Sequence, residues 1–311
     1  MWLNVVASVL ALSAFLGGLY IMRSGLEGMG HGRLPSILHR FVSTPTKGII
    51  TGLLTTTLLQ SSAAITAITV GMVASGSMVF RDAVGIILGS NVGSTITPQL
   101  LTLNLWIFVA PFLLIGIIGY VFGAKRFRHA SMALVGFATI FVALQALSHA
   151  LHPLAQTPWF RNLLAYAGHH VLLAILTGVV ASAMIQSSTA TTVITMALAM
   201  EFVIPLTGGI AIVLGANVGT CATSVLAAVG QTRPAQQVAL SHVLLNVSGV
   251  LIMLPFMNSF TDLMAAFATN PAQQIANAHT AFNILSTLLV WPLASPFSRL
   301  VEVLLPDQRH A

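Results

Sequence analysis

Gln60-Ser61-Ser62 returns 126 residues later as Gln186-Ser187-Ser188, each copy set inside an apolar run. Hydroxyls and carboxamides are neutral groups that both donate and accept, so a cluster of them can hold an anion or a small cation. Thr66 and Thr69 continue the first polar face, and Thr189, Thr192 and Thr195 continue the second. A second motif follows each tripeptide: Gly89-Ser90-Asn91-Val92-Gly93, then Ser94, Thr95 and Thr97, matches Gly215-Ala216-Asn217-Val218-Gly219, then Thr220 and Thr223. Aligned without gaps, residues 51–97 and 177–223 agree at sixteen of forty-seven positions, and the agreements gather on polar residues. Apolar matches arise by chance in a hydrophobic chain, whereas shared Gln, Asn, Ser and Thr do not. Duplicated polar residues at matching depths are the layout of a secondary-transporter binding site.

If the chain reverses at each tripeptide, a helix is broken there at mid-membrane. One half-helix then offers free N–H groups, suited to an anion, and the other offers free carbonyls, suited to a cation. Ser, Thr and Gly taken singly are ordinary packing residues between membrane helices. Gln60, Gln186, Asn91 and Asn217 are different, because a carboxamide in hydrocarbon is costly without a partner. These four, with Ser61, Ser62, Ser94, Thr97, Ser187 and Ser188, are the candidate substrate ligands. Gly89/Gly93 and Gly215/Gly219 permit either unwound backbone or close helix approach.

Absences narrow the coupling chemistry. The six acids, Glu27, Asp82, Glu201, Asp262, Glu302 and Asp307, all fall at or beyond the ends of the expected crossings. Proton-coupled carriers hold an intramembrane carboxylate or histidine as relay. Coordination of Na⁺ by hydroxyls and carbonyls is therefore the more natural coupling, with His149, His152, His169 and His170 near one interface as the opening left for protons. No fixed Arg or Lys marks the site in this reading. His242-x-x-x-Asn246 and His279-x-x-x-Asn283 repeat an i,i+4 pairing that suits a helix–helix hydrogen bond as well as a site role.

The elements that must position these residues follow from composition. The chain of 311 residues is 56% apolar with mean hydropathy +0.93 and only 6% charged residues. Its long apolar runs lack period-2 alternation, so they cross a bilayer core of about 30 Å as helices rather than as a barrel. Residues 1–22 have no basic leader or clear cleavage site and are expected to be a retained helix. The single Cys221 excludes an internal disulfide, and the net charge of +6 reads as loop bias rather than nucleic-acid binding. Crossings are expected at about 1–22, 83–98, 104–123, 130–150, 207–223, 235–257 and 274–296, with hairpins at 48–76 and 171–200. Pro35, Pro45, Pro153 and Pro158 should interrupt the linkers before the hairpins.

The expected fold class is an all-α integral membrane protein in one transmembrane domain of two inverted-topology repeats, about 1–125 and 130–257, plus a C-terminal helix at about 274–296. Each repeat holds one QSS hairpin and about three spanning helices, an odd number, so the second copy is upside down. With the basic loop Lys125-Arg126-Phe127-Arg128 inside, Arg23, Arg33, Arg40, Lys47, Arg81, Arg233, Arg299 and Arg309 also fall inside and only Arg161 outside. The amino terminus is then outside and the carboxyl terminus cytoplasmic.

The paired QSS tripeptides, each followed by Gly-x-Asn-Val-Gly, resemble the type II sodium/phosphate cotransporter family, and the likeness runs from the Gly-Leu-rich first helix to Ala278-His279-Thr280-Ala281-Phe282-Asn283. The resemblance implies Na⁺-driven symport of inorganic phosphate by alternating access in the cell membrane, with substrate at mid-membrane between the hairpins. Carried over by position, Gln60, Ser61 and Ser62 look like phosphate ligands, and Gln186, Ser187, Thr189, Thr220 and Thr223 like a Na⁺ site. Relatives often have a third Ser after QSS, where this chain has Ala63 and Thr189. Bacterial relatives often add a PhoU-like domain, so a separate PhoU-like regulator is an expected partner, as is a second copy in a homo-oligomer. The competing readings are a carrier or channel for another small anion, a phosphate exporter, and an intramembrane serine hydrolase using Ser61 or Ser187. No cofactor beyond Na⁺ and no nucleic-acid partner is expected.

Overall fold

Runs of Leu, Ile, Val and Ala fold as helix here. In the computed structural model, which describes residues 2–30, 34–159, 162, 166 and 170–307, every regular element among those residues is α or 3-10 helix. Arg33, Arg161, His169 and Arg309, used in the sequence reading, lie outside the described residues. The chain opens with α1 (Trp2–Met29), α2 (Leu34–Phe41), α3 (Pro45–Leu59), α4 (Ser62–Ala74), α5 (Phe80–Gly93), α6 (Ile96–Thr102) and α7 (Trp106–Val121). It continues with α8 (Arg128–Ala155), α9 (Val171–Ile185), α10 (Ser188–Met200), α11 (Leu206–Gly219), α12 (Cys221–Ala228) and α13 (Arg233–Met253). Then come α14 (Met257–Phe267), α15 (Pro271–Val290) and α16 (Ala294–Leu304). The duplication reaches element boundaries: α1, α3, α4 and α5 each start and end 126 residues before α8, α9, α10 and α11.

Among the described residues five helices are long and apolar enough to span a membrane, at Trp2–Met29, Lys125–Pro153, Leu206–Ala228, Arg233–Phe267 and Pro271–Leu304. Phe80–Thr102 and Trp106–Val121 are apolar enough when taken together and meet at 108°. The sequence reading counts two crossings there, at 83–98 and 104–123. The turn at 103–105 separates them, so the helix direction changes where one expected crossing ends and the next begins. The arms α3 and α4, of 15 and 13 residues, reach only about 22 and 20 Å at 1.5 Å per residue. Neither covers a hydrocarbon core of about 30 Å alone, and α9 and α10 have the same lengths. Pro45 sits at the start of α3, as expected of a residue without an N–H. Pro153 departs from expectation: α8 runs through it and ends two residues later, close enough to the helix end that the lost bond costs little cooperative structure.

Small residues hold each hairpin to the helix that follows. A Cβ added at Gly89 would lie 1.9 Å from the carbonyl oxygen of Ile49, and one at Gly52 would lie 2.3 Å from that of Ile86. The second half repeats this with Gly215 on Ile175 at 2.0 Å and Gly178 on Ile212 at 1.9 Å. Of the two roles the sequence allows these glycines, close approach is the one realised, since α5 and α11 stay wound through Gly89 and Gly215. α1 and α8 pack on each other through Gly18, Gly25 and Gly136. One buried core gathers α4, α5 and α13; another joins α1, α8, α10, α11 and α15.

Candidate functional site

Each tripeptide is one helix end joined to one helix start. Gln60 closes α3 in the left-handed conformation (φ 55, ψ 26), and Gln186 closes α9 in the same way (φ 56, ψ 34). A left-handed residue is the common terminator of a helix. The next residue, Ser61 or Ser187, is the N-cap of the following arm and accepts from the N–H of Ala64 or Ala190. Serine is among the best N-caps, because its oxygen satisfies one of the free N–H groups of the first turn. The sequence Gln-Ser-Ser thus encodes stop, cap and restart, leaving the N–H groups of Ser62 and Ala63, and of Ser188 and Thr189, without intrahelical partners.

The tips meet the opposite half. Ser62, Ala63 and Thr66 line a closed cleft with Thr220, Thr223 and His242, so the first hairpin tip faces the α11–α12 break. Thr189 Oγ1 donates to the carbonyl of Ser94 at 3.1 Å, so the second hairpin tip faces the α5–α6 break. Thr223 Oγ1 and Thr192 Oγ1 are buried with no hydrogen-bond partner among the described residues.

A fixed arginine stands at the site, which the sequence reading assigned to the inner loops. Arg23, part-buried in α1, donates from Nη2 to Ser187 Oγ at 2.9 Å, and its Nε is buried without a partner. The expectation of a site with no fixed cation is therefore corrected. Depth along α1 decides this: Arg23 lies inside the helix, six residues before its end, where it reaches the second hairpin. Both lone pairs of Ser187 Oγ are taken, by Arg23 and by Ala190 N–H, leaving its proton to give. No general base contacts Ser61 Oγ or Ser187 Oγ among the described residues, so neither is set up as a nucleophile.

The asparagines are held rather than free. Asn91 Oδ1 lies 3.3 Å from His242 Nε2. Asn217 donates to the carbonyl of Val213 at 2.9 Å, accepts from Asn283 Nδ2 at 3.1 Å and lies 3.3 Å from His279 Nε2. Of the two roles open to the His-x-x-x-Asn motifs, contact between helices is what forms. Ser94 Oγ bonds its own helix at the Asn91 carbonyl, at 2.7 Å. Gln60 turns its amide to the Thr57 carbonyl and, with Thr97, lines a largely apolar cavity of about 300 Å³ between α1, α3, α6, α7 and α8. Gln186 is exposed, so what it supplies to the cluster is its backbone turn.

Charged contacts lie beyond the hairpins' open ends. Arg81 forms a two-point pair with Glu302 at 3.1 and 3.0 Å. Glu201 pairs with His152 at 2.7 Å and accepts from Ser148.

The chain has relatives among known proteins. The family described as Na⁺/Pi-cotransporter matches the chain twice, over residues 14–149 and 145–289. An uncharacterized Bacillus subtilis protein, YqeW, is 34% identical over 247 residues, covering 79% of this chain and 80% of the relative. The Escherichia coli K12 protein named "Putative inorganic phosphate export protein YjbB" is 29% identical over 258 residues, 82% of this chain. The chain spans 47% of YjbB's own length. Sheep sodium-dependent phosphate transport protein 2A is 42% identical over 62 residues, covering 20% of this chain and 10% of that protein. No solved structure matches the chain. With both copies of the family's sequence pattern present and a relative alike over most of its length, this multi-pass membrane protein belongs to the Na⁺/Pi-cotransporter family, a family of transporters rather than enzymes.

Proposed function

We propose that the chain is a Na⁺-coupled carrier of inorganic phosphate that works by alternating access, with solute bound where the two re-entrant QSS hairpins meet. Family and fold support phosphate transport in the broad sense. The observation that carries the finer reading is the Arg23–Ser187 contact. A guanidinium, a hydroxyl with a proton to give and the uncapped N–H groups of α10 all donate, and together they suit a tetrahedral oxyanion. Ser187 belongs on the phosphate side in this arrangement, because its oxygen has no lone pair left for a cation. Ser188, Ser61 and Ser62 would complete the donors. Thr189, Thr220 and Thr223 are the Na⁺ candidates, Thr223 for its unpartnered oxygen and Thr189 because its lone pairs stay free once its proton is given to Ser94. Gln60 and Gln186 supply the turns.

The inverted arrangement gives alternating access its symmetry: the hairpins enter from opposite faces and exchange roles as the halves rock. Purified protein in proteoliposomes should take up labelled phosphate faster under a Na⁺ gradient than under a K⁺ gradient. Equal rates would remove Na⁺ coupling. Export is the second reading, favoured by the name of the YjbB relatives. Loss of phosphate from loaded, right-side-out vesicles, set against gain by empty ones, separates the two directions.

A further inference from the structure

His242 and His279 follow a spacing that the 126-residue duplication does not explain. At an offset of 37, residues 233–267 and 270–304 agree at eleven of thirty-five positions. Pro234-Ala235-Gln236-Gln237 recurs as Pro271-Ala272-Gln273-Gln274, and His242, Asn246 and Pro255 recur as His279, Asn283 and Pro292. The elements recur in step. α13 passes through a 3-10 turn at Leu254–Phe256 into the 11-residue α14, and α15 passes through one at Trp291–Leu293 into the 11-residue α16. Shared apolar composition would give two helices, but not the same 3-10 step on the same residues.

The two units differ in which half they reach: α13 bridges from its chain neighbour α12 to the first half, while α15 leans mainly on the second. α13 packs chiefly on α4, α5 and α12, whereas α15 packs chiefly on α10 and α11. His242 of α13 meets Asn91 of the first half, and His279 of α15 meets Asn217 of the second. Asn91 and Asn217 are equivalent by the first duplication, and the two histidines by the second. Both asparagines lie one turn before a helix break, where Ser94 Oγ bonds the Asn91 carbonyl and Cys221 Sγ the Asn217 carbonyl.

Hydrogen-bond arithmetic fixes one ring. Asn217 Nδ2 is spent on Val213, so the atom facing His279 is the oxygen, already receiving Asn283 Nδ2–H. His279 Nε2 must carry the proton to bond there, which leaves Nδ1 as a bare, buried acceptor with no partner among the described residues. A leucine of similar size would leave the Asn217 oxygen short of a donor. His242, by contrast, spans Ser224 Oγ of the second half at 3.0 Å and Asn91 Oδ1 of the first at 3.3 Å.

We propose that residues 233–304 form a second duplicated pair of clamps, one per half, and that His242 and His279 are positioning residues. Each holds the asparagine carboxamide before a helix break and so sets the backbone at Ser94 and Thr97, or at Thr220 and Thr223.

Double-mutant cycles on melting temperature in detergent decide the pairing without reference to transport. His242→Leu with Asn91→Leu, and His279→Leu with Asn217→Leu, should each melt well above the sum of the single shifts. The crossed pairs, His242 with Asn217 and His279 with Asn91, should add. Additive matched pairs, or crossed pairs coupled as strongly, would overturn the proposal. Where leucine variants do not fold, methionine at the histidines and serine at the asparagines carry the same decision. The transport arm rests on the cotransport reading above. His279→Leu should raise the KM for Na⁺ by about tenfold or more with a smaller change in maximal rate, as loss of an orienting partner does at ion sites. His279→Gln, which restores an N–H donor, should recover most of it. A folded His279→Leu with wild-type Na⁺ KM sinks the positioning role. Wild-type protein with no Na⁺ response sinks the cotransport reading instead and leaves the cycles standing.

Discussion

At Ser187 one hydroxyl oxygen receives two donors, the Arg23 guanidinium and the Ala190 N–H, and keeps one proton to offer. That arrangement predicts a strong effect at Arg23. Arg23→Gln should raise the KM for phosphate by roughly 10- to 100-fold, the worth of one charged hydrogen bond. Arg23→Lys should recover only part, because an ammonium keeps the charge and loses the planar fork. Uptake kinetics at fixed Na⁺ check this, and an unchanged KM in folded Arg23→Gln would place the anion elsewhere. Gln186 makes a contrasting case, being exposed and left-handed. An L-residue there costs about 1 kcal/mol that glycine avoids. Gln186→Gly should therefore melt higher than Gln186→Ala, and both should keep more Na⁺ response than Thr220→Ala. A Gln186→Ala carrier as insensitive to Na⁺ as Thr220→Ala would return the carboxamide to the site.

At the scale of elements, each hairpin is one packing unit with the helix after it. The Gly89–Ile49 and Gly215–Ile175 approaches leave no room for a methyl group. Gly89→Ala or Gly215→Ala must push the paired helices apart, a strain of about 1–3 kcal/mol or more. Folded yield, read by size-exclusion fluorescence, should fall several-fold. Gly71→Ala is the control: it faces open space within α4, so it should leave yield unchanged or raise it. Equal loss in all three would mean that helix composition, not close approach, explains the glycines. Hydrophobic patterning gave the arms their helical state, while the left-handed Gln and the capping Ser set where each arm stops.

For the whole molecule, the inverted halves make a directional prediction. Ser77, after α4, and Phe202, after α10, are exposed and lie at equivalent ends of the two hairpins. With buried Cys221 replaced by alanine, a cysteine at position 77 should react with a membrane-impermeant maleimide from the inner face only. One at position 202 should react from the outer face only. Labelling of both from one side would make the halves parallel.

Much of this was legible in the chain because hydropathy and duplication are local properties. Runs too apolar for water must be helices in lipid, and Gln-Ser-Ser in an apolar run stops and restarts a helix by backbone and capping preferences that need no distant partner. The hairpins expected at 48–76 and 171–200 follow from that alone, and the arms form at 45–74 and 171–200. What sequence could not decide was which groups meet. Arg23 read as a loop charge because its separation from Ser187, 164 residues, carries no local signal. Asn217 and Gln186 read as ligands by kind, yet packing spends the first on His279 and Asn283 and turns the second outward. Residue type and depth set what a polar group can do, and only the tertiary structure, by bringing donors from separate helices to one oxygen, decides what it has left to do.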